Sequence, residues 1–594
     1  MFGRDWSPRQ LEAMIVAQRH RGPDAEGKYE SPARLAGLGH NRLSIIDLSN
    51  AGRQPMSDRS GRYWIAFNGE IYNYVELRAE LKVHYEFQSQ TDTEVLLAAW
   101  LNWGESCLDR LVGMFAFVVW DEVGHKAFGA RDRFGVKPLH YHETPEGGLW
   151  LASEIKALQA AGVRRRANER TWATYLTSGM HDHGDMTFWQ NIQRITPGSC
   201  FTWTSAEGVS IRRWYDVAKV TFEKGPDSRP ESEVTEELLA LLEETIRLRF
   251  RADVPVGVCL SGGLDSSLLL GLVHRVQGAD SAVKTFTFFC GDPAYDEIPW
   301  VEQMLAETKH PACYCPLTPD QVPPLAANVQ YFQDEPYGGV PTLGMSKVHE
   351  RAAREGVVVL LDGNGLDEGW AGYEYYQRVE TVDASKAPVQ GSRGPSTRPD
   401  CLKPDFAALA APALDNTPFT PHSAVARLQY RDLNLAKIPR AMRFADRVSM
   451  MFSRELREPF LDHRIIELGL RQPAERKIRH GQSKWLVRRL AERILPKGVR
   501  ESPKRPVQTP QREWLRGPLQ PWVRECVETA LALHSDWFDG KTLRSALDSF
   551  NVGPLDNSFF IWQWLSAAMV TATSVAEPQG RCVSRSPARP VAVG

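Results

Sequence analysis

The sequence predicts a mixed α/β and α+β protein with a β-rich first part, a parallel sheet packed between helices, and a helical C-terminal extension. Three observations predict it. Up to about residue 205, apolar patches of strand length (64–67, 114–120, 148–152 and 199–203) recur between turn residues such as Pro197-Gly198. From 231 onward, strand and helix signals alternate, the order expected of a parallel sheet with helices on both faces. After about 420 the pattern is mainly helical.

The alternation begins with a helical pattern over 231–250, where Val234, Leu238, Leu241, Leu242 and Ile246 recur near helical spacing. Three β-type runs follow, at 254–260, 283–289 and 357–361, separated by helical segments. A chain of 594 residues exceeds one core. The predicted division is a first domain at 1–205, a linker at 206–232 and a second domain at 233–575. A Pro-, Ser-, Gly- and charge-rich insertion at 383–400 and a disordered tail at 576–594 complete it.

With 42% apolar residues, 24% charged residues and a net charge of −2, nothing in the composition calls for a nucleic-acid or membrane partner. No secretory apolar segment opens the chain, and no apolar run approaches the ~18 residues of a membrane span. Nine cysteines without a C-x-x-C pair suit neither zinc nor a complete disulfide set. Reduced thiols and a cytoplasmic location are the expectation.

The run 254–260 opens into Ser261-Gly262-Gly263-Leu264-Asp265-Ser266-Ser267 and then into a helix expected to start on its serines. Glycines admit close backbone approach to an anion, hydroxyls add donors, and the helix N-terminus adds partial positive charge. The loop lacks the lysine of a Walker A sequence. Asp265 suggests a carboxylate that holds Mg2+ against phosphates. The run resembles the pyrophosphate loop of ATP pyrophosphatases, which implies ATP cleavage between the α and β phosphates and an activating enzyme. A second acidic glycine loop, Asp362-Gly363-Asn364-Gly365-Leu366-Asp367-Glu368, follows the strand at 357–361. Asp367 is the candidate for a second Mg2+ ligand. Both loops follow strands, where open α/β sheets bind ligands.

The second half resembles the synthetase domain of B-type asparagine synthetases. The matching pieces, in order, are 261–267, Tyr295-Asp296-Glu297, Asp334-Glu335-Pro336, 363–368 with Gly372-Tyr373, Asp446-Arg447 and 455–463, then Lys484-Trp485-Leu486 and Pro503-Lys504. The resemblance implies that Ser261, Gly263, Asp265 and Ser266 hold pyrophosphate and that Asp265 and Asp367 hold Mg2+. It implies that Leu260 and Phe288 contact adenine through their backbones, that Gly363 lies beside the nucleotide, and that Lys504 neutralises the phosphates. Asn364 departs from the family pattern, which commonly has Glu there as a proton carrier. An amide cannot act as that base. Glu368 or water would replace it, or the acceptor is not free aspartate. Asp362 also stands where Ser is common.

The first half carries His20-Arg21-Gly22-Pro23-Asp24, Arg42-Leu43-Ser44, Asn68-Gly69-Glu70, Thr91-Asp92-Thr93-Glu94 and 131–139. This set resembles the class II glutamine amidotransferase domain, an N-terminal-nucleophile fold of stacked antiparallel sheets. By that match Arg42 and Asp92 clamp glutamine with help from Glu70, and Asn68 with the Gly69 N–H forms an oxyanion hole. The family's nucleophile is a cysteine at the mature N-terminus, whose α-amino group takes the thiol proton. Here the sequence begins Met1-Phe2-Gly3-Arg4, and its first cysteine is Cys107. Two accounts stand: a start that lacks the nucleophile strand, favoured by the retained clamp, or a protein that takes free ammonia.

The function expected from both halves is ATP-dependent amidation of aspartate through an acyl adenylate, releasing AMP and pyrophosphate. ATP, Mg2+, aspartate or a related acid, and glutamine or ammonia are the implied small molecules, and a homodimer is left open. A ligase that tailors a peptide or natural product and a non-catalytic descendant of the family are the alternatives.

Overall fold

The centre of the first part is a strand buried on both faces, and its side chains divide between two cores. In the computed structural model, which describes residues 1–182, 184–278, 280–381, 396–412, 421–502, 509–553 and 557–572, this strand is Gly113–Asp121. Phe115, Phe117 and Val119 pack with Val95, Leu96 and Ala99 of the helix Asp92–Trp103. Ala116, Val118 and Trp120 pack on the other side with Phe2, Leu139 and Tyr141. Cover on both faces explains why 114–120 reads as a continuous apolar run rather than an alternation.

In chain order the first strands are β1 (Ala25–Glu30), β2 (Gly37–Arg42), β3 (Met56–Ser57), β4 (Tyr63–Ile71) and β5 (Gly113–Asp121). They are followed by β6 (Lys126–Arg131), β7 (His140–Glu143), β8 (Leu149–Ala152), β9 (Gln193–Arg194), β10 (Ser199–Thr204) and β11 (Gly208–Arg213). β1 and β2 pair antiparallel, β11-β10-β6-β5-β4-β3 form one antiparallel sheet, and β8-β7-β9 form another stacked upon it. Met1 and Phe2 run between β2 and β8: the Gly37 amide donates to the Met1 carbonyl and the Phe2 amide to the Leu149 carbonyl, both at 2.8 Å. β11 falls within 206–232, the stretch read as linker, yet pairs with β10 from Ser199↔Arg213 to Thr204↔Gly208. Its outward residues are exposed, so its apolar signal is weak.

The second part is built on five parallel strands: β12 (Val256–Cys259), β13 (Lys284–Phe289), β14 (Ala312–Pro316), β15 (Val359–Leu361) and β16 (Glu455–Arg457). Their order is β14-β13-β12-β15-β16. The helices Glu231–Arg249, Leu264–Gln277 and Trp485–Ala491 cover one face, and Val340–Arg354 and Ile438–Met450 cover the other. Apolar runs do not reveal β14 or β16. β14 alternates exposed and buried residues, whereas β16 is Glu-Leu-Arg, fully buried with its charges paired.

The helix after the first acidic loop does not start on a serine cap. Gly263 is its N-cap and makes no side-chain capping bond. The serine hydroxyls turn back instead: Ser266 Oγ lies 3.0 Å from Ser261 Oγ, accepts from the Ser261 amide at 3.1 Å and donates to the Gly263 carbonyl. First-turn N–H groups of this helix are thus left without a capping side chain. Lys504 and the tail 576–594 lie outside the described residues, as does the proposed insertion up to residue 395.

Candidate active site

Two cavities collect nearly all the residues singled out in the sequence. The first, about 210 Å³, is lined by Arg42, Asn68, Gly69, Glu70 and Asp92, and by Lys137, Met450 and Glu455. Arg42 is held by backbone acceptors of the following loop: the carbonyl of Ser49 at 2.6 Å, that of Ile46 at 3.3 Å and that of Asp47. Asp92 accepts the Ile71 amide at 2.9 Å. Burial pushes its carboxyl up to about 7. Glu70 is pushed well above the carboxylate range by burial and by the neighbouring Asp92 and Glu455. Its Oε1 lies 3.4 Å from Arg457 of β16, so the second half contributes to this wall.

Gly69 is required where it stands. Its φ is +150°, and a Cβ there would overlap the Met114 carbonyl oxygen. Asn68, next to it, reaches Ser153 Oγ at 3.4 Å. Among the described residues no cysteine lines this cavity. Cys107 is fully buried elsewhere, and burial pushes its thiol up to about 12, an inert state.

The second cavity, about 640 Å³, lies at the C-terminal ends of β12, β13 and β15. Leu260, Ser261, Asp265, Ser266, Phe288, Gly363 and Asp367 line it, and Gly263 caps the helix beside them. A Cβ on Gly363 would come within 3.3 Å of the Ser266 amide nitrogen, so the two acidic loops are in close approach. The Leu260 amide donates to the Phe286 carbonyl at 2.9 Å, and its carbonyl accepts from Thr287 Oγ1 at 2.8 Å. An adenine contact at Leu260 therefore has only the second lone pair of that carbonyl to use.

Lys484 joins the two acidic loops. Its ammonium donates to Asp265 and to Asp367, the latter at 2.7 Å. Burial alone would lower its pKa, but the two carboxylates raise it above the ordinary lysine value. The sequence shows Lys484 only as part of a matching tripeptide. Its place between two carboxylates more than 100 positions away has no local signal. It is the cation that the described residues supply at this point.

Asn364 is not poised as a base. Its amide donates to Asp362 Oδ2 at 3.0 Å and to Glu458 Oε1 at 3.2 Å, bridging two carboxyl groups. Burial raises both of their pKa values, Glu458's further through Asp362. Glu368 also lines the cavity and accepts the Tyr373 hydroxyl at 2.6 Å. Burial, then the charge on Asp367, pushes its carboxyl up to about 7.

Buried charges tie the two cavities together. Arg21 donates to Glu154 at 2.8 Å and, through two nitrogens, to Asp446. Lys156 pairs with Glu154 at 2.5 Å and with Asp334 at 3.2 Å, and Arg194 reaches Glu335 at 3.2 Å. The motif residues Arg21, Asp334, Glu335 and Asp446 thus hold the halves together.

Residues 2–215 match the family described as a glutamine amidotransferase domain, and residues 237–573 match the family described as asparagine synthase. The asparagine synthetase [glutamine-hydrolyzing] 1 of Bacillus subtilis is 29% identical, with 93% of this chain and 91% of that protein covered. The asparagine synthetase [glutamine-hydrolyzing] 3 of the same organism is 30% identical over 82% of each chain. The amidase chry2 of Gibberella zeae is 32% identical over 62% of this chain and 56% of its own length. The synthase match covers the parallel sheet, both acidic loops and Lys484, and the relatives extend across both halves, so the chain belongs to the asparagine synthase family.

Proposed function

We propose that this chain is an ATP-dependent carbon–nitrogen ligase that converts the side-chain carboxylate of aspartate to an amide through an acyl adenylate, releasing AMP and pyrophosphate. The observation that carries this reading is the convergence of Asp265 and Asp367 on Lys484 beside the hydroxyl-lined loop, within one 640 Å³ cavity. Such a cavity has room for a nucleotide and a small acid together. A carboxylate is a poor acyl donor until its oxygen joins a good leaving group, and adenylation supplies AMP. Ser261, Ser266 and first-turn amides of the helix Leu264–Gln277 would bind the phosphates, with Lys484 offsetting charge that accumulates on leaving pyrophosphate.

Asp265 and Asp367 fit Mg2+: both carboxylates already reach a single cation. Among the described residues no group of three or more His, Cys, Asp or Glu side chains forms a complete cage, which suits an ion sharing its ligands with phosphate oxygens. When bound, Mg2+ would neutralise charge on the phosphates.

Glu368 is the group we assign to take the proton from the attacking nitrogen, because it lines the cavity and its carboxyl titrates near neutrality. Nitrogen comes from glutamine in the complete family enzyme, with Arg42, Asp92 and Glu70 as the clamp and Asn68 with Gly69 as the oxyanion hole. At the second cavity the nitrogen would arrive as ammonia. Pyrophosphate release from ATP with aspartate and ammonium chloride should occur and should vanish in Asp265→Ala. Absence of release with every carboxylic acid tried would refute the reading.

A further inference from the structure

A third cavity, of about 370 Å³, lies where the two halves of the chain meet, and it shares no lining residue with the other two. Four buried arginines line it. Arg131 ends β6 and Arg194 ends β9, both in the first half, while Arg443 and Arg447 stand one turn apart on the helix Ile438–Met450 of the second. Pro439, Met442 and Asp446 share the face of that helix with them, at spacings of three and four residues, so one helix face forms the wall.

Positive charge outweighs negative on this lining. Arg131 donates to backbone carbonyls, those of Lys137 and Ile195 at 2.7 Å and that of Gly135 at 2.8 Å, and forms no ion pair with any described residue. Of the two lining acids, Asp446 is already gripped by Arg21, and Asp182 is shared between Arg194 and Arg443. Glu335 is divided in the same way, 3.2 Å from Arg194 and 3.7 Å from Arg443, and Arg447 competes with Arg21 and Lys156 for Glu154. Arg194 Nε, Arg443 Nη2 and Arg447 Nε find no hydrogen-bond acceptor among the described residues. Burial, then the charges of Arg443, Arg131 and Arg447, pull the pKa of Arg194 down to about 10 against the effect of Glu335. These guanidinium groups therefore repel one another across the cavity.

The complementary ligand is an anion with more acceptors than a carboxylate. One guanidinium fork satisfies a carboxylate through two parallel bonds, whereas a phosphate presents three terminal oxygens and close to two charges, enough for several forks at once. The volume is in the range that holds a small organic molecule, and Pro439 with Met442 lays an apolar patch beside the arginines.

We infer that this third cavity binds a phosphate group, free or carried on a small ester, clamped between Arg194 of the first half and Arg443 and Arg447 of the second, so that its occupancy locks the halves together. The site does not depend on the ligase reading. The helix Ile438–Met450 gives such a ligand its leverage, because Ala441 and Phe444 line the larger cavity and Met450 lines the first. An anion held there touches neither reaction site but grips a helix that reaches both, which is the position of an effector rather than of a reactant.

Calorimetry and thermal unfolding of the full chain, with a non-hydrolysable ATP analogue saturating the loop at 261–266, test the site with orthophosphate and with ribose 5-phosphate. At least one should bind once per chain in the submillimolar range and raise the unfolding midpoint by about 2 °C at a hundredfold excess over its Kd. Tighter binding of the ester would assign Pro439 and Met442 to its organic part; otherwise the free ion is the ligand. Arg443→Gln should weaken binding at least tenfold. That substitution also disturbs Asp182 and Glu335, so a second variant adds charge instead of removing it. Thr196→Glu, at a half-buried position of the lining, puts a carboxylate where the ligand would sit. It should weaken phosphate at least tenfold yet leave the phosphate-free midpoint at or above that of wild type, which mere damage to the junction would not do. Binding that survives Thr196→Glu, a phosphate-free midpoint that falls in it, failure of both phosphates to bind wild type, or succinate binding as tightly as they do would overturn the site.

Discussion

Arg21 of the first half grips Asp446 of the second with two nearly parallel hydrogen bonds, of 2.8 and 2.9 Å, in a site closed to water. Asp446 is held below its ordinary pKa by Arg21, against the effect of burial, so it remains charged throughout the physiological range.

Arg21→Met should therefore destabilise the protein by on the order of 3 kcal/mol, since it takes a buried cation from both Asp446 and Glu154. Denaturant unfolding measures this. The double variant Arg21→Met with Asp446→Leu should recover part of the loss, because the Asp446 charge is gone while Glu154 keeps His20, Lys156 and Arg447 nearby.

Lys484→Met should lower the rate of pyrophosphate release about 10²- to 10³-fold, the usual effect of removing one preorganised electrostatic group. Asp265 and Asp367 would then face the phosphates without a protein cation between them. Steady-state kinetics at saturating ATP and Mg2+ checks the prediction, and raising Mg2+ should rescue only part of the rate.

The two glycines should respond differently. Gly69→Ala places a Cβ against the Met114 carbonyl at a positive φ, and should cost about 1–3 kcal/mol or more in stability. At Gly363 the nearest atom to a new Cβ is 3.3 Å away, on the phosphate loop. Gly363→Ala should fold with nearly the wild-type midpoint yet weaken ATP, as thermal unfolding with and without nucleotide would show.

Glu368 sets a pH dependence with a defined sign. Its folded pKa of about 7 lies above the ordinary carboxylate value, so its contribution to stability is present at low pH and lost as pH rises through 7. A shift of this size corresponds to on the order of 3 kcal/mol. Glu368→Gln should consequently be more stable than wild type at pH 8 but not at pH 4. At a fixed concentration of free ammonia, amide formation should climb through pH 7 in wild type as Glu368 loses its proton. That limb should disappear in the variant.

The loops that bear the chemistry were legible because each is local: a strand, two or three glycines and a carboxylate within a dozen residues. Arg42, Asn68, Glu70 and Asp92 could be grouped in advance because their motifs are short and ordered along the chain. Lys484 could not be placed that way. Its significance lies in partners from distant segments, and a lysine followed by tryptophan has no periodicity to announce it. β16 was hidden for a related reason, since Glu455 and Arg457 look like surface residues until their mutual pairing is seen. The Ser266 hydroxyl reads as a helix cap by composition, but the loop's own Ser261 and Gly263 use it first.

β16 is three residues long and forms the outer edge of the parallel sheet, with Arg457 pinned against Glu70 across the boundary. Severing the halves would take Glu70 from Arg457 and bare Val358 and Val359, which pack with Ile45 and Ile46 of the first half. The second half expressed by itself should consequently form particles or precipitate rather than yield a working fragment. Any gene fusion that exchanges one half for a distant homologue's would inherit the same bare surface unless it carries counterparts of Ile45, Ile46 and Glu70.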